Sequence, residues 1–170
     1  MKFLDRNVQI DTAGTVASGI MRSFHMNCPP DLMKQNELST VQKIEILTAF
    51  LPRLYAKGFV PVESWSGGDK RKDGSFTMPY PNYNPVVEEF FRLVSRAGWL
   101  DQSYNPEQAY EMLKDEGLIK AASLSQIKTM LTFCLRGERF SDGHWAQMIE
   151  EGYIRRLLER LDQIQSELRK

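Results

Sequence analysis

The sequence predicts a mainly α fold, an α+β domain of about six helices around one core with one small β-hairpin. Three observations point there. Apolar residues recur at helical spacing through most of the chain from Ser39 onward. Two pairs, Asn84-Pro85 and Asn105-Pro106, each set a capping side chain before a proline suited to the first helical position. One stretch, residues 59–80, instead alternates extended segments with a polar, glycine-bounded loop.

Residues 1–36 read as an N-terminal arm packed on a single domain that spans 37–170. The arm holds Gly14, Gly19, Pro29 and Pro30 and no sustained period, with room for one short helix over 16–24. The first strong helix starts at Ser39, where Ile44, Leu47, Leu51 and Leu54 form a stripe and Gly58 is suited to end it. Pro52 falls inside this pattern and is expected to kink or shorten the helix. The hairpin follows, with strands over 59–65 and 75–80 and a mobile tip carrying Lys70-Arg71-Lys72. The helix opened by Asn84-Pro85 runs through Val87, Phe90, Phe91 and Val94 toward Gly98. That opened by Asn105-Pro106 carries Ala109, Tyr110 and Leu113 toward Gly117. Ser123, with Gln126 three residues on, forms a capping box. The helix it starts is apolar nearly all round at 130–135, as a central buried helix should be. A short helix is expected over 142–151. A last one begins near Tyr153, with Ile154, Leu157, Leu161, Ile164 and Leu168 on one seam. The default for that seam is packing on its own core, and it also allows a homodimer through 153–168.

Composition narrows the function classes. Lysine plus arginine and aspartate plus glutamate number 22 each, so the basic surplus that drives most nucleic-acid binding is missing and such a partner is not expected. A hydrophobic fraction of 42% excludes a disordered chain. No apolar run approaches the ~20 residues of a membrane span, and charges break the start of the chain at once, so a cytoplasmic protein is expected. Cys28 and Cys134 imply no disulfide framework, and Cys134 reads as a buried thiol.

Chemistry concentrates in one place, residues 136–145, Arg-Gly-Glu-Arg-Phe-Ser-Asp-Gly-His-Trp. Arg136 and Arg139 offer forked donors for a carboxylate or phosphate. Glu138, Asp142 and His144 have the chemistry of acids, bases or ligands. Gly137 and Gly143 let the backbone turn or approach a neighbour closely. Trp145 closes the segment, and Trp65, in Ser64-Trp65-Ser66-Gly67-Gly68, is the second aromatic candidate beside it. A purely structural reading stands next to this one. There Arg136, Glu138 and Arg139 pair internally, Asp142 caps the following helix, and Phe140 and Trp145 are core residues. No zinc-type histidine pair, Cys-x-x-Cys, P-loop, dinucleotide fingerprint or serine elbow occurs, and neither a metal site nor a cofactor is expected.

The 136–145 segment, continued by Met148-Ile149-Glu150-Glu151-Gly152 and Leu157-Leu158-Glu159-Arg160-Leu161, resembles the C-terminal signature of a bacterial family of domains of unknown function. Ser64-Trp65-Ser66-Gly67-Gly68 and Met78-Pro79-Tyr80 resemble that family's earlier block. The likeness covers about residues 44–165. It implies a bacterial or phage context and a mainly α fold, and it carries no mechanism.

Three functions remain. The leading one is a non-catalytic binding or regulatory module whose polar pocket, near Arg136, Arg139 and His144, takes a small anionic ligand or a protein partner. The second is a small hydrolase or transferase on a phosphate-bearing substrate, with Arg136 and Arg139 on the anion and His144 exchanging protons with Asp142 or Glu138. The third is a winged-helix DNA binder, with helices near 106–116 and 123–135 and a wing through 140–145. Against the third, the second of those helices is too apolar at its end to lie in a groove.

Overall fold

Helices begin where side chains replace missing backbone partners. In the computed structural model, which describes residues 38–96 and 98–170, α1 (Thr40–Thr48) is opened by a capping box between Ser39 and Gln42. The arm expected over 1–36, and the short helix expected within it, lie outside the described residues. Asn84 and Asn105 cap α3 (Pro85–Val94) and α4 (Pro106–Lys114) by accepting from Val86 N–H and Gln108 N–H, each at 3.0 Å. Ser123 and Gln126 form the expected box at the start of α6 (Leu124–Arg136).

The fold is mainly helical with one two-stranded antiparallel hairpin, β1 (Val62–Ser66) against β2 (Tyr80–Tyr83). Among the described residues there are eight α-helical segments where about six were expected, because two expected helices are each broken. The first divides into α1 and the four-residue α2 (Leu51–Leu54). Pro52 is the cause: it has no N–H to give, and its ring would collide with the carbonyl of Thr48, where α1 stops. The second break is at Asp115. Its carboxylate accepts from Gly117 N–H at 2.7 Å and Leu118 N–H at 3.1 Å, starting α5 (Glu116–Ala121). Gly117 therefore lies inside a helix and does not end one.

The hairpin also differs in register. The second strand is 80–83, not 75–80, and the connection continues as an irregular ladder. Gly68 N–H donates to Thr77 O at 2.7 Å and Arg71 N–H to Ser75 O at 2.8 Å. Proline at 79 and 81 confines regular pairing to the few residues around them.

The core forms where α1, α3, α6 and α8 (Tyr153–Leu168) meet. Ile127, Met130, Leu131, Thr132 and Cys134 of α6 are buried, as a central helix requires. Ile154, Leu157, Leu161 and Ile164 of the α8 seam are buried inside the monomer, and Leu168 is exposed. The two buried threonines of α6 are satisfied. Thr129 Oγ1 donates to the Asp101 carboxylate at 2.7 Å, and Thr132 Oγ1 accepts from Asp101 N–H at 2.9 Å. Asp101 thus straps the α3–α4 connection onto α6. No described helix is long and apolar enough to cross a membrane.

Candidate functional site

The straps just described leave a cleft between the second half of α3, the connection around Leu100, and the end of α6. Its volume is about 700 Å³, within the range of small-ligand sites. Phe91, Leu100, Leu135 and Trp145 form its apolar wall, and Arg92, Arg136 and Arg139 supply the cations. Glu88, Glu138, Ser95 and Gln102 complete it.

Glu138 organises the turn. After α6 the chain makes a single 3₁₀ turn, Gly137–Arg139, and then enters α7 (His144–Glu150). The Glu138 carboxylate accepts from the Tyr83 hydroxyl at 2.6 Å, Gly143 N–H at 3.1 Å and Trp145 N–H at 2.9 Å. Both oxygens are engaged, one by Tyr83 and Gly143 and the other by Trp145. One side chain therefore starts α7 and fastens the hairpin to it. Burial first, then the hydrogen bond to Glu138, pushes the Tyr83 phenol well above its ordinary range, so it stays a donor. Trp145 packs on Phe91, with ring centroids 4.6 Å apart and planes at 13°, and on Tyr83 at 5.2 Å. Its indole N–H donates to Leu135 O at 3.1 Å, closing the end of α6.

The two glycines of the segment are needed for different reasons. Gly143 has φ +89°, and the Trp65 ring lies over it, 3.2 Å from where a Cβ would stand. Gly137 has an ordinary helical φ, but a Cβ there would overlap the His144 ring. His144 is thus packed under Gly137 and edge-on to Phe133, ring centroids 5.7 Å apart. Its Nε2 is buried with no hydrogen-bond partner among the described residues. Burial lowers its pKa, outweighing the opposing pull of Glu138 and Glu151.

Of the residues singled out in the sequence, Arg136, Glu138, Arg139 and Trp145 line the one cleft. Trp65 lies beside it on Gly143, His144 is behind Gly137, and Asp142 is exposed; none of these three lines the cleft. The internal ion pairs expected of Arg136, Glu138 and Arg139 do not form. Among the described residues no carboxylate oxygen lies within 4.0 Å of the Arg92, Arg136 or Arg139 guanidinium. Arg136 instead lies over the Tyr104 ring, 4.8 Å from its centroid. Helix α7 is started by Glu138, not by Asp142, because Gly143 at positive φ turns its own N–H and that of Trp145 toward the preceding 3₁₀ turn. Phe140 is not a core residue. It is 87% exposed, because the 3₁₀ turn points it away from α6. Residues 140–145 form no strand, so α6 is followed by a turn and the expected short helix, where the winged-helix alternative required a wing.

Arg92, Phe91 and Tyr83 were not singled out. Phe91 was legible only as a core residue of α3, and no spacing in the sequence says that the last turn of α3 faces residues 136–139. The described residues hold no group of three His, Cys, Asp or Glu placed to hold a metal ion.

The chain matches the Family of unknown function (DUF6508) over residues 39–167 and belongs to that family. No curated protein and no solved structure matches it.

Proposed function

We propose that this DUF6508 chain is a non-catalytic binding module that holds a small organic anion in the cleft between α3 and the end of α6. One observation carries the reading: three arginines without a carboxylate partner among the described residues stand around an apolar wall. Arginines in that state keep their forked donors for a ligand, and a guanidinium already spent in an ion pair would not. Among the described residues, neither Glu138 nor His144 is free to exchange a proton in the cleft, which supports binding over catalysis. Both Glu138 oxygens are occupied, and His144 turns its buried Nε2 away behind Gly137. Proton exchange between His144 and Asp142 or Glu138, as a hydrolase would use, has no support in that arrangement.

The test is a thermal-unfolding screen of the full chain against small carboxylates, sulfonates and phosphates, run in parallel on Arg92→Ala and Arg139→Ala. A ligand that binds only the folded state raises the midpoint with its concentration. The expected result is at least one anion that stabilises the parent chain and fails to stabilise either variant. Stabilisation by no anion, or equal stabilisation of all three proteins, rejects the reading.

A further inference from the structure

We infer that the ligand of this cleft is a lipophilic monocarboxylate, one carboxylate on an acyl or aryl body, and not a nucleotide or another polyphosphate. The inference rests on the cleft being an anion site and adds the class of anion. Charge is the first argument. The lining holds three cations, Arg92, Arg136 and Arg139, and two anions, Glu88 and Glu138, leaving one net positive charge. That balance suits a carboxylate. A phosphate monoester brings about −1.5 to −2 and a nucleoside diphosphate more, so part of that charge would go uncompensated.

The second argument is the backbone. Phosphate sites draw on free N–H groups at helix starts and glycine-rich turns. Here the N–H groups of Gly143 and Trp145, at the opening of α7, are already consumed by Glu138. Arg92 and Arg136 stand in the last turns of α3 and α6, where the helix dipole presents its negative end. Concentrated negative charge is disfavoured there, and the anion is met by side chains, chiefly the guanidinium groups with the Gln102 amide beside them.

The third argument is the apolar wall. The side chains of Phe91, Leu100, Leu135 and Trp145 offer no free hydrogen-bonding group, since the Trp145 indole N–H is already given to Leu135 O. A sugar or a base edge placed against them would lose its water without compensation. An alkyl chain or an aryl ring would gain from the same burial.

The experiment is isothermal titration calorimetry on the full chain at low ionic strength. The probes are octanoate and phenylacetate, their neutral amides, ADP and inorganic phosphate, with Arg92→Ala and Arg139→Ala in parallel. At least one carboxylate is expected to bind at a single site, with its amide weaker by about tenfold or more, the scale of one charge-assisted hydrogen bond. Either arginine variant should weaken the carboxylate by a similar factor and leave the amide unchanged. ADP or phosphate binding in an arginine-dependent way, with neither carboxylate binding, overturns the monocarboxylate and leaves the anion cleft standing. A carboxylate and its amide binding equally, or no probe binding at all, overturns both.

Discussion

Replacing Glu138 by alanine should be among the most damaging single changes in the site, although Glu138 is half-buried and belongs to no ion pair among the described residues. The substitution strands two backbone donors at the start of α7, Gly143 N–H at 3.1 Å and Trp145 N–H at 2.9 Å. Losing a helix-start acceptor costs about 1 kcal/mol per bond. It also strands the Tyr83 hydroxyl, whose bond to a charged acceptor contributes about 1.5–3 kcal/mol. Water reaches a half-buried site and recovers part of this, so the expected loss is about 3 kcal/mol, or roughly 10 °C in the midpoint for a domain of this size. Urea unfolding followed by far-ultraviolet circular dichroism measures it. Glu138→Gln should lose more than half as much, because both carboxylate oxygens accept and an amide nitrogen cannot accept from Trp145 N–H. Tyr83→Phe should cost about 1.5 kcal/mol in the parent chain and nothing further once Glu138 is alanine. Arg139→Ala, exposed and unpaired among the described residues, should stay below about 1 kcal/mol. A loss under about 1 kcal/mol for Glu138→Ala would refute the assignment of Glu138 as the fastening of the turn.

Other outcomes follow from the same geometry. Gly137→Ala, which in an ordinary helical site would stabilise, should destabilise by about 1–3 kcal/mol because its Cβ overlaps His144, and His144→Ala in the same chain should recover most of that loss. Burial holds the folded His144 pKa below the ordinary 6.5, so the unfolded chain takes up its proton first. Stability should therefore fall as pH drops below the ordinary 6.5, with no contribution from this group well above it, and His144→Phe should flatten the slope. Burial pushes the Cys134 thiol up to about 12, so in a Cys28→Ser background iodoacetamide should label it only as fast as the chain unfolds. Rapid labelling of the folded protein would contradict its placement in the core.

The helical skeleton was legible because its signals are local. Asn84-Pro85, Asn105-Pro106 and Ser123 with Gln126 mark starts through bonds of two or three residues' reach, and the α6 and α8 stripes follow a period. The breaks at Pro52 and Asp115 are local too, but each competes with an apolar pattern that runs across it. Of the residues singled out at 136–145, Arg136, Glu138, Arg139 and Trp145 come together along the α3–α6 cleft, whereas Asp142, His144 and the added Trp65 stand outside its lining. What those residues do was not legible. Glu138 caps a helix that starts six residues later, outside the usual span of a capping side chain, because the intervening 3₁₀ turn folds back on itself. Arg92 enters the site from a helix more than forty positions earlier, by tertiary packing alone. Phe140 looked like core by residue type, and only the turn's geometry puts it in solvent.

The central claim is that the arginines of the α3–α6 cleft, which have no carboxylate partner among the described residues, hold an organic anion. The most direct measurement follows the arginine Nε–H resonances of the full chain by proton–nitrogen correlation spectroscopy during a titration with phenylacetate. The account predicts that Arg92, Arg136 and Arg139 shift together with one affinity, along with the Trp145 indole N–H at the cleft wall. No shift at these groups, or shifts confined to the loop around Lys70, Arg71 and Lys72, would contradict it.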